Sequence, residues 1–181
     1  PVDFKKFDLI YAGVQKNLGP AGVVLVVAKK ELLAKSPETL PTMFRYSTFL
    51  KKDSLYNTPP AFCIYMVGKV AAWIKAQGGL AEMEKRNKKK AALLYDAIDN
   101  SNGFYRGHAD KDSRSFMNVT FRLPNEELEA KFVAEALANG LSGVKGHRSV
   151  GGMRASIYNA MPYEGALKLA EFMDKFRLAN A

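Results

Sequence analysis

Two short apolar runs, residues 9–12 and 23–28, flank a polar segment punctuated by Gly13, Gly19, Pro20 and Gly22. Apolar runs this short, with Ile and Val among them, suit strands. Glycine and proline between them mark a tight connection. The chain is therefore committed to sheet structure near its start, with a loop at the mouth of two strands expected to be buried. That loop carries one lysine, Lys16. An amine held there is placed to meet an electrophile. From spacing alone it is equally an ordinary solvated charge, as most loop lysines are.

Beyond the loop the pattern alternates. Strands are expected over residues 7–12 and 22–28, in a large and mostly buried sheet. A short helix over 29–34 stops at Ser36-Pro37, and 41–60 reads as an ordered loop closed by Pro59-Pro60. Proline favours a helix's first turn, and from Pro60 the residues Phe62, Met66, Val70, Trp73 and Ile74 share one helical face. Gln77-Gly78-Gly79 ends that helix. A second long helix over 80–98 turns Leu80, Met83, Ala91, Leu94 and Ile98 inward.

After the turn at Asn102-Gly103, residues 117–123 alternate apolar and polar, the mark of a strand with one covered face. A helix over 125–139, with Leu128, Phe132, Ala136 and Leu137 apolar, stops at Gly140. A short strand over 141–144 and another over 154–158 follow. A last helix from Pro162 carries Leu167, Ala170, Met173 and Phe176. This order suggests a small α+β domain with its helices on one face of the sheet. The expected division is 1–78 and 79–181, at Gly78-Gly79.

Composition narrows the functional classes. A 181-residue chain that is 48% hydrophobic and 25% charged is ordinary for a globular protein. No apolar run reaches 18 residues, so no membrane helix is expected. The opening residues lack a secretion-signal pattern. A single cysteine, Cys63, excludes an internal disulfide framework and suits a reducing compartment, hence a cytoplasmic location. With His108 and His147 the only histidines, no metal-ligand spacing occurs. The net charge of +9 is densest at residues 84–90. That run is either a patch for nucleic acid or the solvated face of a helix. The second reading is preferred, because no aromatic residues interleave the charges for base stacking.

A second candidate site stands near the end of the chain. His147, Arg148 and Arg154 flank a glycine-rich turn running from Gly146 to Gly152. Glycines let a ligand approach the backbone, and arginine forks grip carboxylate or phosphate in two places. The cluster reads as an anion site or, more plainly, as a basic surface loop. Asn57-Thr58, before Pro59-Pro60, reads on its own as a turn.

Three stretches together say more: residues 11–22, residues 54–60 and residues 146–156. In this order they closely resemble the phosphoserine aminotransferases, from about Asp8 to the end of the chain. These are class V enzymes that use pyridoxal 5'-phosphate on the aspartate-aminotransferase fold (fold type I). The resemblance implies an α/β protein: the end of the large cofactor-binding sheet domain, then a complete small α+β domain.

The resemblance also implies roles. Lys16 forms the imine with the cofactor and moves the proton between substrate Cα and cofactor C4′. Gln15 stands where several related transferases carry histidine; its amide can bond the cofactor ring oxygen without titrating. Asn57 and Thr58 reach the cofactor phosphate of the other subunit, so the active site is shared in a homodimer. Arg154 binds the substrate α-carboxylate, while His147 and Arg148 bind the distal phosphate or carboxylate. The implied reaction converts O-phospho-L-serine and 2-oxoglutarate to 3-phosphooxypyruvate and L-glutamate, in serine biosynthesis and, in many bacterial members, vitamin B6 biosynthesis.

Some of the family's parts have no match here: the carboxylate for the pyridine nitrogen, the stacking aromatic, the glycine-rich phosphate cup and further substrate arginines. Asp3 and Asp8 are not substitutes. Because the chain opens on Pro1 almost directly before the Lys16 strand, it is expected to be the C-terminal part of a larger enzyme, inactive alone. Two rivals remain. Another class V aminotransferase with a donor such as alanine is disfavoured, since a small neutral side chain needs no second anion site. A basic nucleic-acid-binding module rests only on the charge.

Overall fold

A computed structural model describes residues 2–181 of the chain. The chain divides into two compact units, Pro1–Leu80 and Ala81–Ala181.

In the first unit, strand β1 (Leu9–Gly13) pairs antiparallel with β2 (Val24–Ala28), placing Leu9 opposite Ala28 and Gly13 opposite Val24. The expected strands are present, but not in a large buried sheet. The described residues supply two strands, so the side chains of Val24, Leu25, Val26 and Val27 stay exposed. Helix α1 (Lys30–Ala34) follows as expected. The stretch read as a loop holds a 3-10 turn at Thr42–Phe44 and a short helix, α2 (Tyr46–Leu50). Ser36 ties this stretch to α1: its hydroxyl donates to Leu33 O at 2.8 Å and accepts from Ser47 N at 3.2 Å.

Helix α3 (Ala61–Ala76) starts directly after Pro60. Of its five expected inward residues only Ile74 is buried, and Phe62 is 70% exposed. The apolar stripe is real, but within residues 1–80 most of it has nothing to cover it.

The second unit closes its own core. Helix α4 (Gly79–Asp99) buries Met83, Ala91, Leu94 and Ile98, as the period requires, but leaves Leu80 outside. Strands β3 (Arg106–Gly107), β4 (Asn118–Arg122) and β5 (Met153–Ser156) form an antiparallel sheet in that order. Two-residue β3 was not foreseen. The strand expected at 141–144 is reduced to one bridge, Lys145 to Met153. Between β4 and β5 lies α5 (Glu126–Ala138), started by the Asn125 side chain accepting Leu128 N–H at 2.9 Å. Leu137, an apolar residue of this helix, faces out. Helix α6 (Tyr163–Asn180) ends the chain.

Alternation gives the sheet two unlike faces. Val119, Phe121, Met153 and Ala155 are buried with the helices. There Phe132 of α5 is the hub, with ring centroids of Phe172, Phe176, Phe121 and Tyr105 between 5.0 and 6.2 Å away. The other face carries Asn118, Thr120, Arg122, Arg154 and Ser156, all partly buried. It is polar, and it holds the anion-binding candidates.

Candidate active site

Gln15 and Lys16 occupy the turn after β1. The turn is anchored by Val14, 1% exposed, whose carbonyl accepts Gly19 N–H at 2.8 Å and whose N–H reaches Val23 O at 3.2 Å. The Gln15 amide folds back over Gly13, where a Cβ would come within 2.5 Å of Gln15 Oε1. Helix α3 holds the far end of the loop: Val67 packs on Gly19, and Cys63 Sγ bonds Ala21 O at 3.3 Å. Cys63 is thus a packing residue, as its place on an apolar helix implies. The anchored turn presents the Lys16 side chain outward. Asn57 and Thr58 lie on the exposed stretch before α3, and Asn57 Nδ2 donates to Thr58 O at 3.0 Å.

Asp8 is engaged elsewhere. Its carboxylate meets Lys29 Nζ at 2.5 Å, and that bond holds its pKa below the ordinary aspartate value.

In the second unit the turn between Lys145 and Met153 folds into a compact loop. Gly146 N donates to Gly152 O at 2.7 Å, and the Val150 and Gly151 amides donate to His147 O at 2.9 and 2.8 Å. Two glycines are required by space. A Cβ on Gly146 would sit 2.0 Å from Gly151 O, and one on Gly152, at φ +66°, would sit 2.8 Å from Phe121 O. At the tip, His147 Nδ1 faces Ser149 Oγ at 2.7 Å and Ser149 N at 3.3 Å. A backbone N–H can only donate, so Nδ1 accepts. In the neutral ring the proton is then assigned to Nε2.

The loop borders two hollows. One, of about 310 Å³, is lined by His108, Asn118, Thr120, Arg122, His147 and Arg154 among others, with no carboxylate in its wall. Arg154 stands opposite Thr120 in the β4–β5 register, and its Nε is buried without a hydrogen-bond partner among the described residues. The other hollow, of about 730 Å³, is lined by Arg148 and His147 but also by Glu126 and Glu129. The three residues singled out in the sequence are therefore gathered on one loop and strand. His147 borders both hollows, while Arg148 and Arg154 each border one.

Three neighbours were not anticipated. His108 follows β3, which was not foreseen. Arg122 holds a polar position of β4, and the strand's alternation, set in register with Arg154, points to it. Glu129 gives no signal in sequence, since nothing local tells that a helical glutamate turns under the sheet. The basic run also resolves. Arg86 and Lys88 pair with Glu82 and Glu84 one turn earlier, whereas Lys90 is 2% exposed. Its ammonium donates to the carbonyls of Ile157, Tyr158 and Met161 at 2.8–3.1 Å, and burial pushes its pKa down.

Comparison with known proteins shows the family and the fold. The phosphoserine aminotransferase of Niallia circulans is 58% identical over 177 residues, 98% of this chain and 49% of that protein. The solved structure of phosphoserine aminotransferase from Bacillus circulans subsp. alkalophilus superposes with a TM-score of 0.96 at 57% identity, over all of this chain and 50% of that one. The pyridoxal-phosphate-bound phosphoserine aminotransferase of Trichomonas vaginalis is 38% identical, with a TM-score of 0.88, over 96% of this chain and 49% of that one. The chain thus spans about half the length of the relatives it matches. Its α/β architecture is that of fold-type-I pyridoxal-phosphate enzymes. No helix among the described residues is long and apolar enough to cross a membrane. Residues 1–169 match the family described as Aminotransferase class-V, and the chain belongs to that family.

Proposed function

We propose that this chain is the C-terminal half of a phosphoserine aminotransferase, which catalyses O-phospho-L-serine + 2-oxoglutarate ⇌ 3-phosphooxypyruvate + L-glutamate in serine biosynthesis. The observation that carries the substrate class is the hollow walled by His108, His147 and Arg154 without a carboxylate. A small neutral donor such as alanine needs no such wall beyond its one carboxylate clamp. In this reading residues 1–78 end the large cofactor-binding domain, and residues 79–181 are the small domain.

The donor set on the first unit fits part of pyridoxal 5'-phosphate. One primary amine on an anchored turn suits the aldehyde; the amides of Gln15 and Asn57 and the Thr58 hydroxyl suit a ring oxygen and a phosphate. With Asp8 bonded to Lys29, nothing identified here suits the pyridine nitrogen. That partner belongs to the portion of the relatives that this chain does not span. When bound, the cofactor supplies an electron sink for the pair released at the substrate Cα.

The chain's own residues do the rest. Arg154 grips the α-carboxylate with its planar fork, which fixes the Cα–H bond for cleavage. His147, donating from Nε2, and Arg148 hold the distal phosphate, or the distal carboxylate of glutamate. Acting as base, the Lys16 amine would take the Cα proton and pass it to the cofactor carbon C4′. Asn57 and Thr58 act across a homodimer interface on the partner subunit's cofactor. Cytoplasmic serine synthesis, and in bacteria vitamin B6 synthesis, are the settings in which this chemistry serves.

The test is made on the protein at the full length of its relatives. Borohydride reduction in the presence of pyridoxal phosphate should label the Lys16 peptide. Lys16→Ala should retain non-covalent cofactor binding and lose turnover of phosphoserine. Label on another lysine sinks the assignment.

A further inference from the structure

We propose that Arg122 is a positioning residue that sets the His147–Arg148 loop over the sheet face carrying Arg154. The proposal rests on reading that loop as the distal anion site.

Arg122 lines both hollows, yet its guanidinium is already engaged. Nε donates to Glu129 Oε1 at 2.6 Å, and Nη1 donates to Val150 O at 3.2 Å. Glu129 is 8% exposed and also accepts Leu123 N–H at 3.3 Å. The arginine charge is therefore largely cancelled where it sits, and its second arm is spent on a backbone carbonyl of the loop. Val150 in turn donates its N–H to His147 O at 2.9 Å. A continuous path runs from α5 through Glu129 and Arg122 to the residue that carries the distal donor.

The loop is shaped to receive this arm. A Cβ on Gly152 would stand 2.4 Å from Arg122 Cδ, and one on Gly151 would stand 3.4 Å from Nη1. The side chain lies flat against the loop backbone. The planar fork holds the Glu129 carboxylate with Nε and the Val150 carbonyl with Nη1 in one fixed relation. A lysine in its place keeps the charge but offers one nitrogen and no such fixed spacing. Loss of the fork has two effects: the loop tip gains freedom, and Glu129 is left as a charge beside the anion hollow. Replacing both residues by glutamine removes the second effect and isolates the first.

The experiment uses the full-length, cofactor-loaded enzyme and O-phospho-L-serine. Arg122→Gln/Glu129→Gln should raise KM about tenfold with kcat changed by less than about threefold, as expected when ground-state and transition-state binding fall together. Amides of residues 146–152 should exchange faster with deuterium, while the Phe132 core keeps its protection. In a His147→Ala/Arg148→Ala background the same pair of changes should add almost nothing, because a loop without donors has nothing left to position.

An undiminished tenfold effect in that background overturns the proposal, since Arg122 then acts on substrate independently of the loop. So does an unchanged KM in the glutamine pair when His147→Ala/Arg148→Ala raises it. If His147→Ala/Arg148→Ala itself leaves KM unchanged, the reading of the loop as the substrate's anion site fails, and the positioning role fails with it. Should the glutamine pair not fold, Arg122→Lys carries the same test, with a KM rise of about threefold and the same dependence on His147 and Arg148.

Discussion

The two units handle comparable apolar sequence in opposite ways. Among the described residues of the first, only Val14 and Ile74 are buried apolar side chains; Phe44, Phe62 and Tyr65 and the strand β2 lie open. In the second, one continuous core runs from Ala91 to Phe176, built on the aromatic hub around Phe132. Composition does not separate them, since both have apolar runs of the proper period. Closure does. Three strands and three helices enclose one another within residues 79–181, whereas a two-stranded sheet with one apolar helix does not bury enough surface to order itself. The proposed covalent chemistry at Lys16 therefore sits on the unit with the less complete interior, and the proposed anion recognition on the self-sufficient one.

The largest effect follows from cutting the chain between them. Residues 79–181 made alone should melt in one cooperative transition by circular dichroism, and residues 1–78 alone should show none. A cooperative melt from 1–78 would break the comparison. Within the second unit, Phe132→Ala should cost about 3–5 kcal/mol in denaturant titration, because four aromatic neighbours lose their shared partner. A cost under about 1 kcal/mol, the range of ordinary surface changes, would mean that the aromatic cluster is not its keystone.

Lys90→Met should cost less, on the order of 1–3 kcal/mol, since the stem still packs but three carbonyls lose their donor. The smallest effect is electrostatic. Arg114 donates two hydrogen bonds to Asp99 at 2.6 and 2.9 Å and holds that carboxyl below its ordinary pKa of 3.8. A depressed carboxyl pKa contributes stability that is complete above the unfolded value and is lost as pH falls through the lower folded value. The melting temperature of the wild type should thus fall more steeply than that of Asp99→Asn below the ordinary aspartate range. The gap should correspond to no more than about 1 kcal/mol for a pair at the surface and only partly covered.

The second unit was largely legible in sequence because its elements are long enough to show a period. Val119 and Phe121 announce a one-faced strand, and Met83, Leu94 and Phe132 announce inward helix rows. Leu80 was misplaced for a physical reason: a period gives the apolar row but not where the neighbouring element stops covering it. The helix at Tyr46–Leu50 and the strand at Arg106–Gly107 are too short to carry a period and owe their form to what they contact. In the first unit the strands were found and their burial was not, since burial depends on partners that periodicity cannot supply.

The site divides the same way. Lys16 and the loop of His147, Arg148 and Arg154 were visible through glycine spacing and family resemblance. The Arg122–Glu129 pair was not, because it joins a strand to the helix after it only once β4 and α5 have docked. Lys90 was hidden by its company, as one buried ammonium among basic residues, Lys85, Arg86, Lys88 and Lys89, that lie exposed.

That hidden lysine has a practical consequence. In a folded second unit an acylating reagent should modify Lys85, Lys88 and Lys89, which lie exposed, and skip Lys90, whose three protons are held by carbonyls 67 to 71 residues away. Nucleophilic attack needs a free lone pair, and this nitrogen surrenders none until the turn after β5 comes apart. Mass spectrometry of one tryptic region thereby contains both a reporter of folding and its own reference, with neighbouring amines consumed in every state and Lys90 consumed only when the domain opens.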